Sequence, residues 1–312
     1  MLDIHNYKKR LERTLENIQK SNEILDENRK IIIRFHDSCF SEGLSVCKIE
    51  RYLYDLFRLA KMMDKSFSEA NKEDLQKVMA VIEKKEWSPN SKQTFKIMMK
   101  KFYKWFEGNG EEYPEKIKWL KATLKNNHKK LPDELLTEEE IEKLIRACQS
   151  QRDKALFATL AESGCRIGEI ANLKIKDVFF DEYGGKISVT GKTGARIVRL
   201  VNSSPYLHEW INNHPYNNNR ENYLWINLKG KPVTYTRIAS ILKNSSRRAG
   251  INKRVHPHLL RHSRATYLAG YLTEAQMKDY LGWVQASKMA GIYVHMNGRD
   301  TDKAVLKLNG IK

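Results

Sequence analysis

The chain has 312 residues, which is enough for two domains with separate hydrophobic cores and excludes a small scaffold held together by disulfides. Hydrophobic residues make up 41% of the chain, so its composition excludes an intrinsically disordered protein. Lysine and arginine number 56 against 38 aspartates and glutamates, and the formal net charge of +18 predicts a polyanionic partner, with DNA, RNA and anionic lipid all open.

The first part of the chain is predicted to be helical. Apolar side chains recur three and four positions apart over residues 7–126, which is the period of amphipathic helices, and no alternating strand pattern interrupts it. A polar stretch over residues 125–133 then ends this pattern and is typical of a linker. We therefore predict a helical domain over residues 1–130 and a second domain over residues 131–312.

One predicted helix of the first domain has a basic face. Ser88 and Pro89 mark its start, and it stops before Gly108. Lysines at four-residue spacing line one side of it: Lys92, Lys96, Lys100 and Lys104. Such a row is often only a solvated surface, but its agreement with the net charge of the chain keeps contacts to phosphates as a second interpretation.

The second domain is predicted to combine helices with a few strands. It opens with a capping box, in which Thr137 is the N-cap and Glu140 follows three residues later. A second helix follows, and then three short segments with strand character and glycine-containing turns, over residues 178–180, 186–189 and 196–200. The predicted fold class is mainly α with a small antiparallel β-sheet, an α+β organisation.

Cysteine and histidine spacing argues against disulfides and metals. The four cysteines form no Cys-x-x-Cys pair, which indicates reduced thiols. His258 and His262 have i, i+4 spacing, but they lack the carboxylate of a His-Glu-x-x-His zinc motif and lie among cations. We predict no metal and no cofactor. The apolar runs are much shorter than the roughly 20 residues that cross a membrane, and the first residues carry no secretory signal pattern, so we expect a cytoplasmic protein without a membrane partner.

Two short motifs in the second domain carry candidate catalytic residues. Arg166 follows a glycine that can end a helix and precedes Glu169 by three residues, a spacing that is also typical of a surface ion pair. His258 and Arg261 lie three apart on a predicted helix that a proline opens. One helix face then carries a proton-handling group and a bidentate anion clamp.

Two further features complete the pattern. Lys192 occupies a Gly-Lys-Thr-Gly turn between the second and third predicted strands, and Tyr293 follows the Leu-Gly-Trp element that ends at Trp283 by ten positions. A lone tyrosine at such a place is more often a packing residue than a nucleophile. The order of the motifs changes this interpretation. This order resembles that of the tyrosine recombinase, or phage-type integrase, family: arginine, lysine, His-x-x-Arg, Leu-Gly-Trp and tyrosine. The match is to its two-domain, Xer-like members, and the stretch Leu-Leu-Arg-His-Ser-Arg-Ala-Thr resembles archaeal ones.

The resemblance covers the whole second domain and implies a role for each matching residue. The implied catalytic set is Arg166, Lys192, His258, Arg261, Trp283 and Tyr293, with Glu169 supporting the first arginine. In such a set the arginines clamp the scissile phosphate and the lysine protonates the leaving oxygen. The histidine assists proton removal or bonds the phosphate, tryptophan donates a hydrogen bond to it, and tyrosine is the nucleophile.

The activity that the resemblance implies is site-specific DNA recombination through a covalent 3′-phosphotyrosine and a Holliday junction, without a metal or cofactor. The implied partner is double-stranded DNA, with a homotetramer on two DNA sites and a monomer or weak oligomer in isolation. The first domain resembles, more loosely, the family's helical, SAM-like core-binding domain, in which the four lysines would contact DNA. Two alternatives stay open: a type IB topoisomerase, and a catalytically silent DNA-binding protein of the same fold.

Two details of the last part of the chain leave further alternatives. The interval before Tyr293 is one residue longer than in most Xer-like relatives, so Tyr267, Tyr271 and Tyr280 are retained as fallback nucleophiles. Residues 304–308 carry an apolar stripe suited to docking, either on a neighbouring protomer or on the same chain.

Overall fold

The computed structural model describes residues 3–108, 111–124, 134–191, 193–296, 305 and 309–310, with side chains described up to residue 293 in the last long segment. The chain forms two compact units, Asn6–His128 and Lys129–Lys312, and residues Met1–His5 belong to the second. The predicted linker at 125–133 and most of the stripe at 304–308 lie outside the described residues. Within the described part, no helix is both long and apolar enough to cross a membrane.

The first unit is built from helices over its described residues. Their bounds are α1 Tyr7–Lys20, α2 Asp26–Ser41, α3 Val46–Lys61, α4 Lys72–Lys84, α5 Pro89–Phe106 and α6 Glu115–Lys118. Local signals set several of these bounds. Before α4, the Asn71 side chain accepts from the Asp74 backbone N–H at 3.1 Å, and the Asp74 carboxylate accepts from the Asn71 N–H at 3.0 Å. Helix α5 starts as predicted, with Ser88 as N-cap and Pro89 in the first turn.

The apolar stripe of α5 forms the core of the first unit. Phe95, Met98 and Phe102 are fully buried. The Phe102 ring meets Phe35 edge-on at 5.4 Å and Phe67 at 4.9 Å between centroids, an arrangement that aromatic quadrupoles favour. The apolar stripe predicted for this helix is therefore the face that packs in the core.

The second unit combines helices with one small sheet. Its elements are α7 Glu138–Arg146, α8 Gln151–Ser163, α9 Ile167–Ala171, β1 Val178–Asp181, β2 Gly184–Gly191, β3 Gly194–Leu200, α10 Ser204–Asn212, α11 Tyr235–Arg248, α12 Pro257–Leu268, α13 Glu274–Leu281 and α14 Met289–Met296. The strands form an antiparallel sheet in the order β1-β2-β3, in which Ile187 pairs with Val178 on one side and with Val198 on the other. The predicted fold class, mainly α with a small antiparallel sheet, is confirmed.

Two polar contacts hold the parts of the second unit that surround Arg166. The fully buried Trp225 donates its indole N–H to the Ile170 carbonyl at 2.8 Å, which anchors α9. Glu162, at the end of α8, accepts from the backbone N–H groups of Val201 at 2.8 Å and Ser203 at 2.7 Å. The second contact ties the end of β3 and the start of α10 to α8.

Candidate active site

Arg166 lies at the junction of two helices. Helix α8 ends at Ser163 because Gly164 turns the backbone with φ 59°, a conformation that glycine adopts without strain. Arg166 is then the N-cap of α9; its backbone N–H donates to the Glu169 carboxylate at 2.8 Å, and its Nη1 donates to the same group at 3.1 Å. The Arg166 side chain is 33% exposed, so its guanidinium can reach a ligand in solvent.

Glu169 is almost fully buried and has a second arginine partner. Arg196 on β3 donates from Nη1 and Nη2 to the two Glu169 oxygens at 3.1 and 3.0 Å, and from Nε to the Tyr280 carbonyl at 2.9 Å. Burial raises the pKa of the Glu169 carboxyl, but the bonds from Arg196 and Arg166 outweigh it and the net effect lowers the pKa. Glu169 is therefore an ionised group between two arginines.

Arg196 is a site residue that the sequence motifs did not indicate, although a signal was present. Side chains two apart along a strand lie on the same face, so Arg196 shares the inward face of β3 with the buried Val198 and Leu200. A charged residue on that face predicts a buried partner. The contact also requires glycines nearby, because a Cβ atom on Gly191 would collide with the Glu169 carboxylate, and one on Gly282 would collide with the Arg196 guanidinium.

Arg261 occupies the buried face of α12. Its side chain donates from Nη1 to the Gly164 carbonyl at 2.8 Å and from Nη2 to the Leu281 carbonyl at 2.9 Å. Burial, together with the charge of Arg166, lowers the pKa of Arg261 to about 10, so the group still carries its charge at neutral pH. Arg166 and Arg261 thus form a pair of like charges, which favours the binding of an anion.

Tyr293 on α14 lies within electrostatic range of Arg261. Its ring stacks on Trp283 with 5.5 Å between centroids and an interplanar angle of 6°, and the Arg261 guanidinium carbon is 5.6 Å from the centre of the Trp283 ring. Burial raises the pKa of the Tyr293 phenol, since the residue is only 4% exposed, and the charge of Arg261 acts in the opposite direction. The Tyr293 hydroxyl is hydrogen-bonded to Nδ1 of His262. The spacing of His262 from His258 had suggested only a metal ligand.

Two predicted catalytic residues remain, His258 and Lys192. His258 is exposed in the first turn of α12, one helical turn before His262. Lys192 is outside the described residues; its neighbour Thr193 donates from Oγ1 to the Gly282 carbonyl at 3.2 Å, so the end of the β2–β3 hairpin contacts the Leu-Gly-Trp element.

The fallback tyrosines have other contacts. Tyr280 bonds through its hydroxyl to the backbone carbonyls of Glu162 and Arg199, at 3.4 and 3.3 Å. Tyr267 and Tyr271 are exposed and pack on each other, with 5.0 Å between ring centroids. Of these tyrosines and Tyr293, Tyr293 is the one that stacks on Trp283 in the described part of the chain.

The four predicted DNA-binding lysines lie in the first unit, on α5. Lys92 and Lys96 form ion pairs with Glu83, with N–O distances of 3.5 and 2.6 Å. Lys100 lies over the Tyr113 ring, 4.2 Å from its centre, and Lys104 lies 5.5 Å from the same point. Two of the four charges are therefore balanced by a carboxylate.

Comparisons with known proteins place the chain in a family. The sequence profile of the phage integrase family matches residues 134–299. The chain is 30% identical over 277 residues to the tyrosine recombinase XerA of Pyrococcus furiosus, an alignment that spans 86% of this chain and 90% of the relative.

Two solved structures share the fold. The XerH site-specific recombinase bound to a palindromic difH substrate has a TM-score of 0.65 and 22% identity, covering 97% of this chain and 96% of that one. A lambda integrase tetramer bound to a Holliday junction has a TM-score of 0.68 and 14% identity, covering 87% and 78% of the two chains. The family profile, which matches more than half of the chain, and the similarity to XerA along most of its length lead to one conclusion: the chain belongs to the phage integrase family and is a tyrosine-type site-specific recombinase.

Proposed function

We propose that this recombinase cuts and rejoins strands of double-stranded DNA through a covalent bond between Tyr293 and the 3′-phosphate of the cut strand. The observation that carries the proposal is the position of the Tyr293 phenol, stacked on Trp283 and within electrostatic range of Arg261. A phenol near the Arg261 guanidinium is suited to attack an anionic phosphodiester, because this cation stabilises the phenolate, and Arg261 and Arg166 together stabilise the charge that develops on the phosphate.

Arg166 and Arg261 act as the phosphate clamp in this proposal. A guanidinium has five N–H donors in a planar fork that matches phosphate oxygens. Arg261 uses two bonds to backbone carbonyls, which hold it rigidly, and Arg166 is oriented through Glu169. Both forks are thus oriented before substrate binds, so little reorganisation is needed when negative charge builds up in the transition state.

Proton transfers complete the proposed reaction. The Tyr293 hydroxyl loses its proton to a base as its oxygen bonds to phosphorus. The bond from phosphorus to the 5′-oxygen breaks at the same time, and that oxygen takes a proton from Lys192. His258, exposed at the start of α12, and Trp283, through its indole N–H, are proposed to bond the phosphate oxygens. The phosphotyrosine conserves the bond energy, so a new 5′-hydroxyl can rejoin the strand without a cofactor.

The proposed partner is duplex DNA, and the proposed assembly is a homotetramer on two sites that passes through a Holliday junction. The net charge of +18 supports contacts along a polyanion. The lambda integrase structure, which is a tetramer on a Holliday junction, supports the assembly by analogy of fold. In this proposal Lys92, Lys96, Lys100 and Lys104 contribute contacts to the DNA backbone from the first unit.

The covalent intermediate provides the test. Nicked duplexes with a randomised centre release a short 5′-hydroxyl fragment after cleavage, so the enzyme stays attached and the attached DNA can be sequenced. We expect the wild-type chain to yield adducts enriched in one site, and Tyr293→Phe to yield none while still binding the recovered duplex, because phenylalanine has no attacking oxygen.

The control is Tyr271→Phe, which removes a hydroxyl from an exposed tyrosine and should leave adduct formation unchanged. Adducts from Tyr293→Phe, or their absence from the wild-type chain with every duplex, would contradict the proposal. A plasmid that carries two copies of the recovered site should also recombine; relaxation of supercoils without recombination would instead indicate a topoisomerase.

A further inference from the structure

His262 occupies a position that the proposed phosphate chemistry does not use. It follows Arg261 directly on α12, and its Nδ1 is hydrogen-bonded to the Tyr293 hydroxyl. The two rings are 5.9 Å apart between centroids and inclined by 34°. The imidazole therefore contacts the oxygen atom that would attack phosphorus.

The nucleophile needs a proton acceptor at this place. Tyr293 is buried, and burial raises the pKa of its phenol, so the hydroxyl does not lose its proton unaided at neutral pH. Arg261 opposes this effect through its charge, but a guanidinium has no acceptor atom and cannot take the proton. A neutral imidazole has one acceptor nitrogen, so its ring can take the proton that a guanidinium cannot.

The two histidines of α12 have different surroundings. Residues four apart on a helix lie on the same face, one turn apart, so His258 and His262 are neighbours along α12. His258 is exposed at the first turn, whereas His262 is half-buried and contacts Tyr293. The exposed position suits contact with a bound phosphate, and the inner position suits proton transfer with the phenol.

We propose that His262 is the general base that accepts the Tyr293 proton during cleavage and returns it during rejoining. This inference rests on the proposed function. In the cleavage step, the proton moves from the Tyr293 oxygen to Nδ1 of His262, the oxygen forms its bond to phosphorus, and the departing 5′-oxygen takes a different proton from Lys192. Rejoining reverses each transfer, so no oxidant, reductant or metal is required.

The test uses a nicked suicide duplex that carries the site recovered with the wild-type chain. His262→Ala removes the base and leaves space for a small molecule, and His262→Asn retains an acceptor atom without a basic nitrogen. Loss of a general base lowers rates by about 10²–10⁴-fold, and we expect both variants to lose cleavage by that factor. Free imidazole should restore His262→Ala in part, which a merely structural role would not allow.

A second DNA substrate distinguishes the general-base role of His262 from the general-acid role of Lys192. When sulfur replaces the bridging 5′-oxygen, the leaving group departs without protonation, so this duplex should rescue Lys192→Ala but not His262→Ala. The matched control is His208→Ala. His208 lies on α10 and packs against Phe180, so this variant should cleave at the wild-type rate. Cleavage by His262→Ala or His262→Asn within about threefold of the wild-type rate would overturn the inference. The inference would also be overturned if His262→Ala melted and bound DNA like the wild type but lost cleavage that imidazole failed to restore.

A measurement without DNA distinguishes failure of this inference from failure of the proposed function. In ¹⁵N NMR spectra of the histidine rings, Tyr293→Phe should shift the Nδ1 signal of His262 and leave that of His208 in place. An unchanged His262 signal would contradict the contact itself. Absence of adducts from the wild-type chain would instead contradict the proposed function.

Discussion

Replacing Arg196 with methionine is expected to destabilise the second unit strongly, because Glu169 then keeps only one of its two arginine partners. The Arg196 side chain is 13% exposed and that of Glu169 is 3% exposed, so this is a buried ion pair with two charge-assisted hydrogen bonds. Removal of one member of such a pair typically costs ~3–5 kcal/mol. Since Arg166 still donates to Glu169, we expect the lower value of ~3 kcal/mol, which corresponds to a fall of roughly 6–12 °C in Tm for a unit of this size.

Differential scanning calorimetry of the full chain measures this effect. The matched control is Arg199→Met on the same strand. Arg199 pairs with Asp181, and these side chains are 34% and 30% exposed, so solvent screens the ion pair and it contributes little. The double variant Arg196→Met with Glu169→Gln should recover part of the lost stability, because the buried side chain at position 169 then carries no charge that Arg166 alone has to balance. An Arg196→Met variant as stable as Arg199→Met, or a double variant less stable than the single one, would refute the reasoning.

Two further outcomes follow from the first unit and the cysteines. Glu83→Gln should tighten DNA binding and steepen its salt dependence, because it frees the charges of Lys92 and Lys96. Lys100→Gln should instead reduce the slope of binding against salt concentration by about one ion. Filter binding over a salt series tests both variants, and an unchanged slope in both would place α5 outside the DNA interface. Iodoacetamide should alkylate Cys47, which is exposed, much faster than the three buried cysteines of the native chain. Mass spectrometry measures the labelling, and equal labelling of all four cysteines would contradict their different burial.

Local patterns in the sequence were sufficient to predict much of the fold. The α5 helix has its predicted start because Ser88 and Pro89 satisfy the first turn, and its buried side is the predicted stripe that contains Phe95 and Phe102. The capping box of Thr137 and Glu140 forms with bonds of 3.2 and 2.9 Å. These features depend on residues three or four positions apart, so they follow from helix geometry alone.

The tertiary structure decided how the site residues are connected. The motifs predicted Arg166, Arg261 and Tyr293 as members of one site. Their spacing along the chain contained no information on which contacts fix these side chains in position.

The contacts that hold the site join residues far apart along the chain. Arg196 binds Glu169 and the Tyr280 carbonyl, 27 and 84 positions away, and His262 meets Tyr293 31 positions away. Residue types and their order along the chain thus determined the family and the chemistry. Only the packing of β3, α12 and α14 determined which histidine contacts the nucleophile, because a contact between distant segments depends on the three-dimensional arrangement of whole elements.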